Sequence, residues 1–299
     1  MSSIKAQDEQ VMYLRPFQLS WIKNYTIIVA IGRRGAGKSV LSSDLIHEFS
    51  KRGVPYGQIF SGTEQYNHFF SRFFPAAFIH KEFSDRKLKT IFRIQQKRMQ
   101  RKAKQLGVSN GKCVETSFLL VLDDMMSEDD IWKRSKYFKK VFLEGRHVSL
   151  AMILNLQYVL GIPPPLRDNV DYVFLFANDD MKALKKMHEN YAGVFPTFNM
   201  FRDVMAQCTQ NHGCLVIDKT ASGTLTDKVF YFRAKDPGRF KFGCPSMWKF
   251  HDNNYVDEGT SSEDEETLPS TSKRQRAQKS FETTGESKKK ITVLMQNRY

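Results

Sequence analysis

The chain has 299 residues, 41% of them hydrophobic, which gives room for one large α/β domain with an appendage and excludes a chain too short or too polar to bury a core. A formal charge of +14 and a pI near 9.5 point to a polyanionic partner, of which nucleic acid is the commonest. Cys113, Cys208, Cys214 and Cys244 contain no C-x-x-C pair and make no convincing metal spacing with the neighbouring His212, so they read as reduced core thiols and exclude a disulfide scaffold. The start, MSSIKAQDEQ, lacks an apolar signal-peptide core, and the apolar neighbourhood Val148–Leu166 is broken by Asn155, Gln157 and three prolines. An intracellular, soluble chain without a membrane span is expected.

In chain order, Tyr25–Ile31 is continuously apolar and β-branched, like a buried parallel strand. The stretch AIGRRGAGKSVLSSDLI follows, and its Gly32-x-x-x-x-Gly37-Lys38-Ser39 spacing fits the P-loop pattern. Such a loop wraps an anionic phosphate with backbone N–H groups and a helix N-terminus. Gly32, Arg33, Arg34, Gly35, Ala36, Gly37, Lys38, Ser39 and Val40 are therefore expected to cradle the nucleotide. Gly35 and Gly37 admit the close turn, Lys38 reaches the β- and γ-phosphates, and the Ser39 hydroxyl can ligate Mg²⁺. From Val40 to Ser50, Leu41, Leu45, Ile46 and Phe49 recur at helical spacing.

Further strands are expected at Gln58–Ser61, Ala76–His80, Ser117–Asp123, Val148–Gln157, Val170–Ala177, Cys214–Lys219 and Lys228–Arg233, separated by helical or turn-rich stretches. This alternation predicts a parallel-dominated α/β sheet flanked by helices. Between the second and third of these strands, Arg86–Lys104 carries nine Lys or Arg among nineteen residues and no acid, with Leu88, Ile91, Ile94 and Met99 as a narrow apolar stripe. A solvated helix face usually mixes both signs. This one-signed stretch is the candidate for sequence-independent contact with a phosphate backbone, through Arg93, Lys97, Arg98 and Arg101.

The run SFLLVLDDMMSEDD delivers Asp123 and Asp124 to the end of a buried strand, where ligands sit in open α/β sheets. Asp123 fits the Mg²⁺-holding position, and Asp124 the carboxylate that polarises an attacking water. Asp129 and Asp130 read as acids of a solvated turn. Gln157 ends an otherwise apolar strand, and a buried amide there needs a partner, which makes it a candidate sensor of the γ-phosphate or the lytic water. From about residue 251 the composition turns to Asp, Glu, Ser, Thr, Lys and Arg, predicting residues 1–250 as the ATPase domain and 251–299 as a disordered charged tail. The tail holds 8 Lys and Arg against 9 Asp and Glu, which leaves 38 minus 23, or +15, on residues 1–250. Within it, KRQR at 273–276 and KKK at 288–290 are spaced like a bipartite nuclear-import signal, and read equally as a tether to DNA or as solubilising charge.

Gly32–Ser39, Leu122-Asp123-Asp124, Gly145-Arg146-His147, Gln157 and Pro165–Asp171 occur in an order that resembles the genome-packaging ATPases of large DNA viruses, the poxvirus-type branch of the FtsK–HerA superfamily with virophage and polinton-like relatives. The resemblance covers about residues 10 to 235. It implies a RecA-like ASCE domain that binds ATP and Mg²⁺, assembles into a homo-oligomeric ring, and pumps double-stranded DNA into a preformed capsid, with capsid or portal vertex proteins as partners. It also implies work in the viral factory or nucleus of the host cell and association with the virion. Many ASCE enzymes carry Glu where this chain has Asp124; the packaging branch shares the shorter side chain, which must sit closer to the water. A cellular or plasmid DNA translocase or helicase of the same superfamily is the alternative. Less favoured are a small-molecule kinase, which needs an acceptor pocket, and a nucleic-acid-binding protein using nucleotide only as a switch.

Ring ATPases commonly complete the charge cage around the γ-phosphate with an arginine from the neighbouring subunit. Arg146 and Arg167 are the candidates. Arg146 enters a strand opposite its Gln157 end and must reach a different nucleotide, whereas Arg167 follows Gln157 and can serve its own site.

Overall fold

The structure is a computed structural model that describes residues 10–106, 115–125, 134–255 and 291–295. Asp129, Asp130, Cys113 and the basic clusters of the tail lie outside these residues. Among the described residues ten strands form one sheet: β1 (Gln10–Pro16), β2 (Ile27–Ile31), β3 (Tyr56–Ser61), β4 (Ile79–His80), β5 (Phe118–Asp123), β6 (Leu150–Leu156), β7 (Tyr172–Phe176), β8 (Cys214–Asp218), β9 (Val229–Phe232) and β10 (Ile291–Met295). Their spatial order is β10-β1-β9-β8-β7-β2-β6-β5-β3-β4. Only β8 runs against the others, pairing antiparallel with both β7 and β9.

The central strands are buried on both faces, which explains why they read as unbroken apolar runs. Along β2, Ile27, Val29 and Ile31 point into one core and Ile28 and Ala30 into the other. The first core lies under α3 (Asp85–Leu106), α4 (Lys136–Glu144), α6 (Met181–Tyr191) and α7 (Phe198–Cys208); the second lies under α1 (Lys38–Lys51) and α9 (Pro245–Asn254). The remaining helices, α2 (Glu64–Asn67), α5 (Pro164–Arg167) and α8 (Leu225–Lys228), are single turns.

The structure departs from expectation in four places. Residues 76–80 form mostly a 3-10 turn, leaving two residues of β4, because only Ile79 and His80 find partners on the edge of β3. β1 hides in a polar N-terminal segment; its residues 10–14 pair with β10 and only Arg15 and Pro16 reach β9. Residues 251–254, expected in the tail, continue α9, and β10 is a strand within the same expected tail. On α3 the buried stripe is Leu88, Ile91, Phe92 and Gln95, while Ile94 faces solvent. Gln95 is drawn inward because its amide donates to the carbonyls of Thr116 at 2.9 Å and Val148 at 3.0 Å.

Candidate active site

β2 ends at Ile31, and the chain turns through Gly35 (φ 77°) and Gly37 (φ 110°) into α1. Both left-handed angles suit glycine, and Gly37 is the N-cap, so the loop presents its amides with no Cβ over them. Gly32 has a packing role as well: a Cβ there would sit 2.6 Å from the Cβ of Phe176 on β7. The Lys38 ammonium folds over the loop, donating to the carbonyls of Gly32 at 2.7 Å and Arg33 at 3.0 Å. Burial lowers its pKa, opposed by the nearby charges of Asp123 and Asp124. Arg33 pairs with Asp179 at the mouth.

The register Ser61↔Asp123↔Asn155 across β3, β5 and β6 sets three polar side chains in a row beneath this loop. Asp123 is buried; Asn155 Nδ2 donates to its Oδ1 at 2.6 Å and the Ser61 hydroxyl to its Oδ2 at 3.4 Å. Asn155 Nδ2 also donates to Ser42 of α1 at 2.8 Å, so one amide ties the carboxylate to the P-loop helix. Its own Oδ1 is buried without a partner. Burial pushes the Asp123 pKa up, the Asn155 bond resists, and the adjacent Asp124 charge adds to the rise. Asp124 lies just past the strand with φ 52°, a left-handed turn that aspartate tolerates, and accepts a hydrogen bond from Gln157 Nε2.

Lys38, Asp123, Asp124 and Gln157 thus converge at the C-terminal ends of β2, β5 and β6. Arg146 and Arg167 do not. Arg146 Nη2 lies 2.8 Å from Asp171 Oδ1, and Asp171 Oδ2 accepts from the amide of Ile27, the first residue of β2. At roughly 3.3 Å per residue, the five residues of β2 separate that point from the P-loop by about 15 Å. Arg167 is at the same far end: its carbonyl accepts from Lys219 at 2.7 Å, and its guanidinium bonds the Ile162 carbonyl and the Asn190 side chain. The expectation that Arg167 serves its own site is therefore corrected, since α5 carries the chain away from Gln157 before β7 begins. The Arg146 side chain is 63% exposed and borders a cavity of about 470 Å³ together with Asp171 and Lys219.

Sequence reasoning missed Asn155, Ser61 and Glu64. Glu64 is a buried carboxylate satisfied by the amides of Phe70 and Ser71 at 2.9 and 2.8 Å, so it shapes the loop after β3. For Asn155 the available signal was a polar residue inside an apolar strand, two places before Gln157. On α3, Arg93, Lys97 and Arg101 are exposed, whereas Arg98 is spent on packing: its guanidinium lies 3.8 Å from the Tyr56 ring centroid and donates to Gln95 at 3.0 Å.

The raised Asp123 pKa has a consequence for stability. A carboxylate whose pKa is higher in the fold than in the unfolded chain stabilises the fold only while protonated, and that contribution is lost as pH rises through the folded value. Asp123→Asn keeps an acceptor for Asn155 and gains a donor for Ser61. It is expected to raise the neutral-pH Tm by about 2–4 °C, as on the order of 1 kcal/mol does in a domain of this size. The difference should vanish below about pH 4. Thermal melts across pH check both halves.

Among the described residues no helix is long and apolar enough to cross a membrane. The family described as "Poxvirus A32 protein" matches residues 17–223. An uncharacterized protein, L437 of Acanthamoeba polyphaga mimivirus, is 36% identical over 231 residues, covering 76% of this chain and 79% of its own. Another, 075L of Invertebrate iridescent virus 6, is 34% identical over 262 residues, 83% of this chain and 96% of its own. Among solved structures, the genome packaging NTPase B204 from Sulfolobus turreted icosahedral virus 2 in complex with sulfate superposes with a TM-score of 0.49 at 14% identity, over 72% of this chain and 98% of that one. With a P-loop between β2 and α1 and paired carboxylates at the end of β5, and with most of its length matched, the chain belongs to the poxvirus A32 family of packaging-type ATPases.

Proposed function

We propose that this ATPase moves double-stranded DNA, as a homo-oligomeric ring that packages a viral genome into a preformed capsid. Family membership and relatives from large DNA viruses support the viral setting. The observation that carries DNA as the track is α3: its exposed face holds Arg86, Lys87, Lys89, Arg93, Lys97 and Arg101, with no acid after Asp85 at its start. A motor must hold every sequence alike, and a one-signed row of cations on a helix meets phosphates without reading bases.

In this reading Lys38 places its charge on the β- and γ-oxygens and Asp124 accepts a proton from the attacking water. Gln157, bonded to Asp124, holds that water in line. The oxygen groups suit Mg²⁺, a hard cation that takes oxygen: the Asp123 carboxylate and the Ser39 hydroxyl would hold it, and the Oδ1 of Asn155, whose amide bonds Asp123, is a further buried oxygen without a partner. Bound there, Mg²⁺ would neutralise charge on the β- and γ-oxygens. Arg146 is the residue proposed to reach the neighbouring subunit's nucleotide.

The test is salt dependence. Replacing Arg93, Lys97 and Arg101 with glutamine should weaken duplex DNA binding and flatten the slope of log K against log salt by about 2–3, near 0.9 for each phosphate that is no longer neutralised. An unchanged slope rejects α3 as the DNA-contacting element.

A further inference from the structure

The turn Gln210–Gly213 lies against the P-loop from the side opposite the carboxylates. β8 starts at Cys214, paired with Phe176 at the end of β7, which puts the turn at the same end of the sheet as the loop. A Cβ added to Gly37 would sit 3.6 Å from the Cβ of His212 and 3.8 Å from its carbonyl oxygen.

The turn is strained in a way its surroundings enforce. Asn211 and His212 are consecutive non-glycine residues in the left-handed region, at φ 51° and 59°. Such backbone persists only where neighbouring structure dictates it, and it gathers at ligand sites. Here the Gly213 amide closes back on the Gln210 carbonyl at 3.0 Å, and Arg233 donates to that same carbonyl at 3.3 Å. Gly213 has no substitute, since a Cβ would lie 2.3 Å from the Cys208 carbonyl. The outcome is a histidine fixed beside the phosphate loop with its side chain exposed.

The direction of the triphosphate says what that side chain meets. Asp123, Asp124 and Gln157 come from β5 and β6, so the γ-phosphate lies on that side of β2. The nucleoside must then leave the loop on the β7 and β8 side. Val40 stands one helical turn beyond Gly37 and is 39% exposed, although apolar. We infer that the Gln210–Gly213 turn is the nucleoside wall of the ATP site, with the His212 ring packing on the base and ribose above Val40. This rests on the P-loop holding the nucleotide's phosphates.

The experiment compares His212→Gly with the wild type, using a non-hydrolysable ATP analogue and inorganic tripolyphosphate as separate ligands in calorimetry. Glycine relieves the left-handed angle and removes only the ring, so folding is preserved, and a thermal melt checks it. The expected result is an analogue Kd about tenfold weaker with tripolyphosphate binding unchanged, the effect of removing one aromatic ring from the base. An unchanged analogue Kd overturns the inference. Equal weakening of both ligands also overturns it, because the turn would then be supporting the phosphate loop. If the wild type binds tripolyphosphate and analogue equally, no nucleoside wall exists; if it binds neither, the P-loop reading itself has failed.

Discussion

Lys38→Ala protein is expected to show no ATP turnover above background and weakened nucleotide binding. The ammonium is held over the loop by the carbonyls of Gly32 and Arg33, and no other lysine side chain comes from the loop. Alanine removes a full positive charge from a site arranged around phosphate oxygens, and leaves those two carbonyls turned toward the anion. Asp124→Asn should behave differently. The amide oxygen can still accept from Gln157 and the size is kept, so the nucleotide binds; only the basic group is gone, and turnover falls by about 10² or more. Phosphate release and equilibrium binding, measured on both variants, separate the two effects. Asp124→Asn protein that hydrolyses ATP at the normal rate shows that the base lies elsewhere.

Arg146→Ala is expected to lower turnover by about 10³–10⁵, the range seen for arginines supplied to a nucleotide from outside its own site. The geometry leaves little room for action in cis. Arg146 is anchored by Asp171 next to the start of β2, about 15 Å along that strand from the P-loop it feeds, yet most of its side chain is exposed. Losing the ion pair also costs stability, because Asp171 is buried, but Asp171 keeps the Ile27 amide as a donor, so a folded protein is expected. Subunit mixing distinguishes the roles. Lys38→Ala subunits keep their arginine and Arg146→Ala subunits keep their P-loop, so a mixture of two inactive proteins should regain activity. A mixture that stays inactive assigns Arg146 to the fold or to its own subunit.

How much of this was legible in the sequence follows from how each feature is encoded. The P-loop and Asp123-Asp124 are local: glycines at fixed spacing and acids closing an apolar run mean the same thing wherever they occur. The central strands were readable because burial on both faces makes them uniformly apolar. β1 was not, because Gln10–Pro16 mixes polar and apolar residues and gains most of its partners from β10, at the other end of the chain. The reversed direction of β8 leaves no mark on composition at all. Asn155 and Arg98 show the same limit from the side of function. One amide became part of the site, and one cation left the exposed row proposed to meet DNA, through interactions with Asp123 and Tyr56 that only the fold creates. Arg167 lost its expected role once α5 was seen to carry it to the far end of β7.

Coupling of ATP hydrolysis to duplex DNA underlies the whole functional proposal, and steady-state ATP turnover by the purified full chain, with and without linear double-stranded DNA, probes it without intermediaries. Duplex DNA is expected to raise turnover several-fold. The rise should decline with added salt as phosphate contacts are screened, and it should disappear when Arg93, Lys97 and Arg101 are neutralised while basal turnover persists. ATP hydrolysis that proceeds at the same rate with or without duplex DNA at every salt concentration would refute the coupling.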